Sequence, residues 1–204
     1  MAPIDTARVE AAVAEILAAI GEDSARPGLL ATPTRVAEAY GEFFSGLGVD
    51  PQDHLADTVE LDLAEGELSE LVLLRDIDFR SICEHHLLPF LGRAHVAYIP
   101  NKRVVGLGRI PKVVDTLASR PQLQERLTEE IADALQEGLE PRGVLVILDA
   151  SHGCVTSRGA RQAKSTTVTM ATRGILSDPV ERAEIVALIG AGGIPAGAGA
   201  AANG

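Results

Sequence analysis

Tryptophan is absent from this 204-residue chain and aromatic residues make up only 3% of it, so Leu, Val, Ile and Ala must fill whatever interior it builds. Cysteine is nearly absent as well: Cys83 and Cys154 are the only two, and they allow at most one disulfide. No apolar run approaches the length of a membrane span. Asp5, Arg8, Glu10 and Glu15 interrupt the run that a signal peptide would need. The expectation is a cytoplasmic protein that does not enter a membrane, with both thiols reduced and available to metal. Positive charge is also short. The net charge of −11 argues against a nucleic-acid backbone or an anionic membrane as partner.

What is present is 46% apolar residues, enough for a real core in a chain of this length. The charge is uneven. From Arg93 to Arg173 there are 12 Lys/Arg against 8 Asp/Glu, and most of these cations are arginine, whose fork suits phosphate. A locally basic second half fits a small anion, and it equally fits ordinary surface variation.

The apolar spacing predicts a helix over 5–20, capped by Asp5 or Thr6 and ended by Gly21. Thr32-Pro33 reads as an N-cap followed by proline at the first position of a second helix, which runs to about Phe44. Alternation predicts strands over 57–63, 71–79, 93–99 and 166–172, with a short apolar piece at 104–107. A helix follows with Ile110, Val113, Val114 and Leu117. The clearest helix is Pro121–Leu139, where Leu123, Leu127, Ile131, Leu135 and Leu139 recur every fourth residue. The unbroken apolar run 143–150 reads as a central strand, and 178–189 as a last helix. The pattern suggests an α+β fold with helices on one face of an antiparallel sheet. Residues 1–50 form an N-terminal helical part, 51–190 the main domain, and 191–204 a Gly/Ala tail expected to be mobile.

Two strands lead into two clusters, Ser81-Ile82-Cys83-Glu84-His85-His86 and Ala150-Ser151-His152-Gly153-Cys154. Cys83, His86 and Cys154 make a Cys₂His zinc set, and three protein ligands leave a fourth position open, the mark of a catalytic site. By spacing alone the signal is weak. Two buried, unmetallated cysteines with surface histidines are the competing reading. His85 and His152 sit beside presumed ligands, and histidine is the side chain suited to moving protons around a metal-bound water. Arg158 soon follows Cys154, and Arg109 and Lys112, three apart, share a helix face that a triphosphate or plain solvent can meet. Glu125, with Gln124 before it, either favours the dipole at the start of its helix or accepts two N–H donors from a guanine edge.

These stretches resemble the GTP cyclohydrolase I family. The matching runs are Thr32-Pro33-Thr34-Arg35-Val36-Ala37, Cys83-Glu84-His85-His86, Tyr98-Ile99-Pro100, Gly106-Leu107, Arg120-Pro121-Gln122-Leu123-Gln124-Glu125-Arg126-Leu127-Thr128, and His152-Gly153-Cys154 with Arg158-Gly159. They occur in the family's order across roughly 8–189. The resemblance implies a tunnelling fold, an antiparallel sheet with two helices on one face preceded by N-terminal helices. It implies pentameric barrels stacked as a homodecamer, with sites between subunits. It implies zinc on Cys83, His86 and Cys154, and a guanine reader in Glu125 helped by Gln124 and nearby backbone. It further implies triphosphate contacts from Arg158, Arg109, Lys112 and, across a subunit boundary, Arg35. The implied reaction adds water at C8 of GTP with His152 as proton donor, releases formate, and recloses the rearranged ribose as 7,8-dihydroneopterin triphosphate. His85 is a further acid/base or orienting residue.

The chain departs from the family where Gly106-Leu107-Gly108-Arg109 replaces the usual Gly-Leu-Ser-Lys, and at Pro111, Lys112 and Glu38. Proline at 111 requires the first turn of a helix. These changes gather at the ribose–triphosphate end, so the alternatives are a paralogue that stops at a formamido- or diaminopyrimidine nucleotide, or a non-catalytic nucleotide-binding relative.

Overall fold

A computed structural model describes residues 4–63 and 69–191. The Gly/Ala tract expected as a mobile tail lies outside the described residues from 192 onward. Helix α1 (Thr6–Ala19) starts where the Asp5 carboxylate accepts the Arg8 N–H. It lies against α2 (Thr32–Phe43), with the Thr34 hydroxyl donating to Glu10 at 2.7 Å. The cap of α2 differs from expectation. Ala31 holds that position without a side-chain bond, and Thr32 and Pro33 already lie in the first turn.

The main sheet has five strands in the order β5-β2-β3-β6-β7. They are β2 (Val72–Cys83), β3 (Pro89–Ile99), β5 (Pro121–Gln122), β6 (Gly143–His152) and β7 (Thr167–Gly174). As its unbroken apolar run predicts, β6 is central: it is paired on both sides, by β3 and β7, and buried along most of its length. Strands β2, β3, β6 and β7 pair antiparallel, as expected. The exception is β5, which runs parallel to the end of β2. Strand β1 (Thr58–Glu60) is shorter than its alternation predicts and pairs with β4 (Arg103–Val105) as a separate two-stranded ribbon.

Helices α3 (Arg109–Ala118) and α4 (Gln124–Leu139) cover one face of the sheet. Alternate residues of the strands meet them: Phe90, Ala94, Val96 and Tyr98 from β3, and Val144, Val146, Leu148 and Ala150 from β6. Leu127, Ile131, Leu135 and Leu139 of α4 are all fully buried there, each contributing about 2 kcal/mol through burial. The α4 helix begins three residues later than its leucine spacing suggests. Pro121 and Gln122 are drawn into the sheet opposite Ile82 and Cys83, and Leu123 stays extended as the N-cap. Pro111 falls in the first turn of α3, the one place where its missing N–H costs nothing.

The other sheet face is not bare. A one-turn 3-10 helix (Ile175–Ser177) and α6 (Pro179–Ala191) bring Leu176 and Ile185 onto Ala97, Leu145 and Ile147. The turn into this segment is made by Gly174, with φ 60° and ψ −139°, a region that residues with a side chain rarely enter. A Cβ there would also stand 2.1 Å from the Arg142 carbonyl oxygen. Gly174→Ala therefore lowers stability by about 2 kcal/mol, read as a reduced midpoint in urea unfolding. A parental midpoint would contradict this account of the turn.

Candidate metal centre and substrate pocket

Both sequence clusters arrive at the same end of the sheet. Ile82 of β2 pairs with Pro89 of β3, and Phe90 of β3 pairs with His152 of β6. Cys83 closes β2 and donates its N–H to the Leu88 carbonyl at 2.9 Å, starting the turn Glu84–Leu87. Leu87 accepts a left-handed φ of 51°, and its N–H returns to the Cys83 carbonyl at 2.8 Å. Such a conformation costs a branched side chain about 1–2 kcal/mol, and it folds His86 back toward Cys83. On the other side, β6 runs into the short helix α5 (Gly153–Thr156), which carries Cys154. The ligand atoms of Cys83, His86 and Cys154 all lie within 4.8 Å of one another.

This donor set suits a metal. Two sulfurs and one imidazole nitrogen are the ligands zinc favours. Cys83 is buried, Cys154 half-buried and His86 exposed, so the cluster is open on the histidine side. Burial and the neighbouring Cys83 sulfur push the Cys154 thiol above its ordinary pKa, while Arg158 pulls it down. Two crowded thiols resist ionising together, and a cation between them removes that cost.

His152 is fixed from two sides. Its ring stacks on Phe90 at 4.6 Å and 5° between planes, and its Nε2 lies 2.6 Å from Gln124 Oε1. Gln124 is 1% exposed, and its amide nitrogen donates to the carbonyls of Leu148 and Thr167 at 3.2 and 2.8 Å. With its N–H groups committed, its oxygen must accept, so His152 carries its proton on Nε2. The Gln124 side chain thus props His152 from within the core. Thr128 and Thr169 complete the support, their hydroxyls 2.6 Å apart and Thr128 also bonded to the Gln124 carbonyl.

Glu125, one residue on, is exposed and near enough to His152 to raise its pKa against the larger lowering effect of burial. It borders a cavity of about 400 Å³ with Arg126, Glu129, Thr169 and Met170. Within one chain, His152 thus lies close to Glu125, and Arg158 lies close to Cys154 of the metal cluster. His85 is exposed beside His86, with ring centroids 6.3 Å apart. Arg109 is tied to Asp57 at 3.3 Å. Among the described residues no ion pair engages Arg35, Lys112 or Arg158, all exposed. Gly108, the N-cap of α3, has open space where a side chain would stand.

A family model described as GTP cyclohydrolase I matches residues 9–190. The GTP cyclohydrolase 1 of Leifsonia xyli subsp. xyli is 62% identical over 192 residues, covering 94% of this chain and 99% of that one. The GTP cyclohydrolase 1 of Carboxydothermus hydrogenoformans is 54% identical, covering 92% and 96%. That of Clostridioides difficile is 51% identical, covering 93% and 98%. Among solved structures, an archaeosine synthase QueF-Like in the apo form matches 53% of this chain and 97% of its own. Its TM-score of 0.44 and 20% identity are too low to carry weight.

Burial holds both His152 and His95, which lies on the opposite sheet face, below the ordinary value of 6.5. Each ring is neutral in the folded chain and protonates more readily when unfolded. Their contribution is fully present above 6.5 and is lost as pH falls from there through the lowered folded values. A His95→Gln, His152→Gln double variant should lose less stability than the parent between about pH 7.5 and about pH 5.5 in urea melts. An equal loss would contradict the assignment.

Proposed function

The chain belongs to the GTP cyclohydrolase I family, and from that premise we propose that it opens the imidazole ring of GTP by hydrolysis, releasing formate and forming 7,8-dihydroneopterin triphosphate. The observation that carries this reading is a three-ligand Cys83, His86 and Cys154 cluster at the end of the sheet where β6 also delivers His152, a histidine propped by Gln124 and close to the Glu125 carboxylate. Cys83, His86 and Cys154 hold zinc, and when bound it supplies the Lewis acidity that makes water a nucleophile at neutral pH.

The chain's own groups do the rest. The Glu125 carboxylate accepts two N–H donors of the guanine edge, which adenine cannot offer. Glu125 stands in the first turn of α4, at the positive end of the helix dipole. His152 exchanges protons at the imidazole ring of the base. Because Nε2 is turned to Gln124, Nδ1 is the nitrogen left for that exchange, and the Phe90 stack keeps the ring from rotating away. His85, on the exposed turn, is a second acid/base or orienting group. Arg158, Arg109 and Lys112 neutralise the triphosphate, with Arg35 supplied by a neighbouring subunit.

A homodecamer of two pentamers is supported by the sheet's two free edges. Among the described residues, β7 has no partner on its outer side, and β5 covers only the last two residues of β2. Pairing β7 of one subunit with β2 of the next closes a ring and removes both edges. Among the described residues no helix is long and apolar enough to cross a membrane, and the reading places the enzyme in the cytoplasm.

Zinc-loaded protein incubated with GTP should release one formate per GTP and yield a product with the mass of 7,8-dihydroneopterin triphosphate. Accumulation of a formamidopyrimidine nucleotide, or GTP binding without formate, would contradict the reading. His152→Ala should reduce kcat by roughly 10²–10⁴, whereas Glu125→Gln should act mainly through guanine recognition and raise KM for GTP. Light scattering should return ten chain masses per particle, and a monomer would contradict the closed ring.

A further inference from the structure

The turn Glu84–Leu87 carries His85 and His86 into solvent, and a ligand on a short exposed turn needs something to hold it. Among the described residues, Glu84 is the one side chain of this turn with an ion-pair partner, the guanidinium of Arg126 on the first turn of α4. Exposed ion pairs are commonly worth little. This one differs because Arg126 is itself held. Its Nε donates to Gln122 Oε1 at 3.1 Å. Gln122 is 1% exposed and its amide nitrogen donates to Glu130 at 2.7 Å and to the Leu117 carbonyl at 3.1 Å. The backbone repeats the link: the Glu84 N–H donates to the Gln122 carbonyl at 3.1 Å, and Cys83 pairs with Gln122 in the parallel ladder.

We propose that Arg126 is a positioning residue that locks the metal-binding turn onto α4 through Glu84. The same helical turn carries Glu125, so the lock holds the metal side and the guanine-reading side of the site in one rigid frame. Arg126 touches neither the metal ligands nor, on this proposal, the substrate. Its guanidinium fixes the Glu84 carboxylate, and the Glu84 backbone carries that restraint to Cys83 on one side and to His85 and His86 on the other. Lysine cannot reproduce it, because a single ammonium cannot bond Glu84 and the Gln122 oxygen in the planar fork that arginine supplies.

The inference rests on the reading that Cys83, His86 and Cys154 hold zinc, and the test separates the two. Zinc affinity is measured on the full-length chain by competition with a chromophoric chelator at fixed pH. The parent, Arg126→Gln, Arg126→Lys, Glu84→Gln and the Arg126→Gln, Glu84→Gln double variant are compared, with GTP KM and kcat determined on each after saturation with zinc. Loss of a group that orients metal ligands lowers affinity by roughly 10–100-fold. Arg126→Gln and Glu84→Gln should each do so, Arg126→Lys should recover only part, and the double variant should be no weaker than the worse single one. Unchanged zinc affinity with a raised GTP KM in Arg126→Gln would make Arg126 a substrate contact and overturn the proposal. So would a loss in Arg126→Gln that Glu84→Gln does not share. A parent that takes up zinc no better than a Cys83→Ser, Cys154→Ser variant overturns the metal reading itself and this inference with it.

Discussion

The β3–β6 ladder decides where every other part of this molecule falls. Ten consecutive residue pairs, from Phe90↔His152 to Ile99↔Gly143, run without a slip. A shift by one residue would turn Val144, Val146 and Leu148 away from α3 and α4 and put Leu145, Ile147 and Asp149 in their place. The apolar pattern of β6 does not forbid that by itself, because both of its faces are covered. What forbids it is the size and charge of the partners: Asp149 has no place against the leucines of α4, and the small Ala94 and Ala97 fill sites cut for them. Fixing this register also fixes the end of the sheet, so Cys83 leaves β2 beside Pro89 while His152 leaves β6 beside Phe90.

Around that end the protein places rigidity and openness on different sides. The buried side is tied down by groups that leave little unsatisfied: Gln124 uses both ends of its amide, Thr128 and Thr169 are hydrogen-bonded through their hydroxyls, and Gln122 spans Leu117, Glu130 and Arg126. A buried polar group without a partner costs roughly 1–3 kcal/mol, so each of these contacts restrains the next. The open side carries His85, His86, Glu125 and Arg158, all exposed. Chemistry on a nucleotide requires this division, since the base must reach groups that do not themselves wander.

Local chemistry made much of this legible. The Cys83–His86 spacing with a distant Cys154 pointed to the cluster that the fold assembles, and alternation marked the runs that become β3 and β7. The four-residue leucine repeat found α4, but not its start, because Pro121 and Gln122 are captured by a strand forty residues away and no local spacing announces that. The resemblance makes Gln124 a helper of Glu125, and nothing in its local sequence announces that its side chain is buried. Its burial depends on Leu148 and Thr167, which only the folded sheet brings near. The same holds for Phe90, an ordinary core aromatic in sequence that proves to be the stacking partner of His152. The apolar residues of α6 were legible as a helix, whereas the face it covers is set by the turn at Gly174.

The central claim is that β2 and β6 deliver Cys83, His86 and Cys154 to one ion and leave a coordination position for a small molecule. X-ray absorption at the zinc edge of the loaded protein tests it most directly. The account predicts two sulfur neighbours at about 2.3 Å, one imidazole nitrogen at about 2.0–2.1 Å, and a light fourth neighbour that changes when a GTP analogue is added. A shell with fewer than two sulfurs, or a second imidazole in the fourth position that no nucleotide displaces, would contradict it.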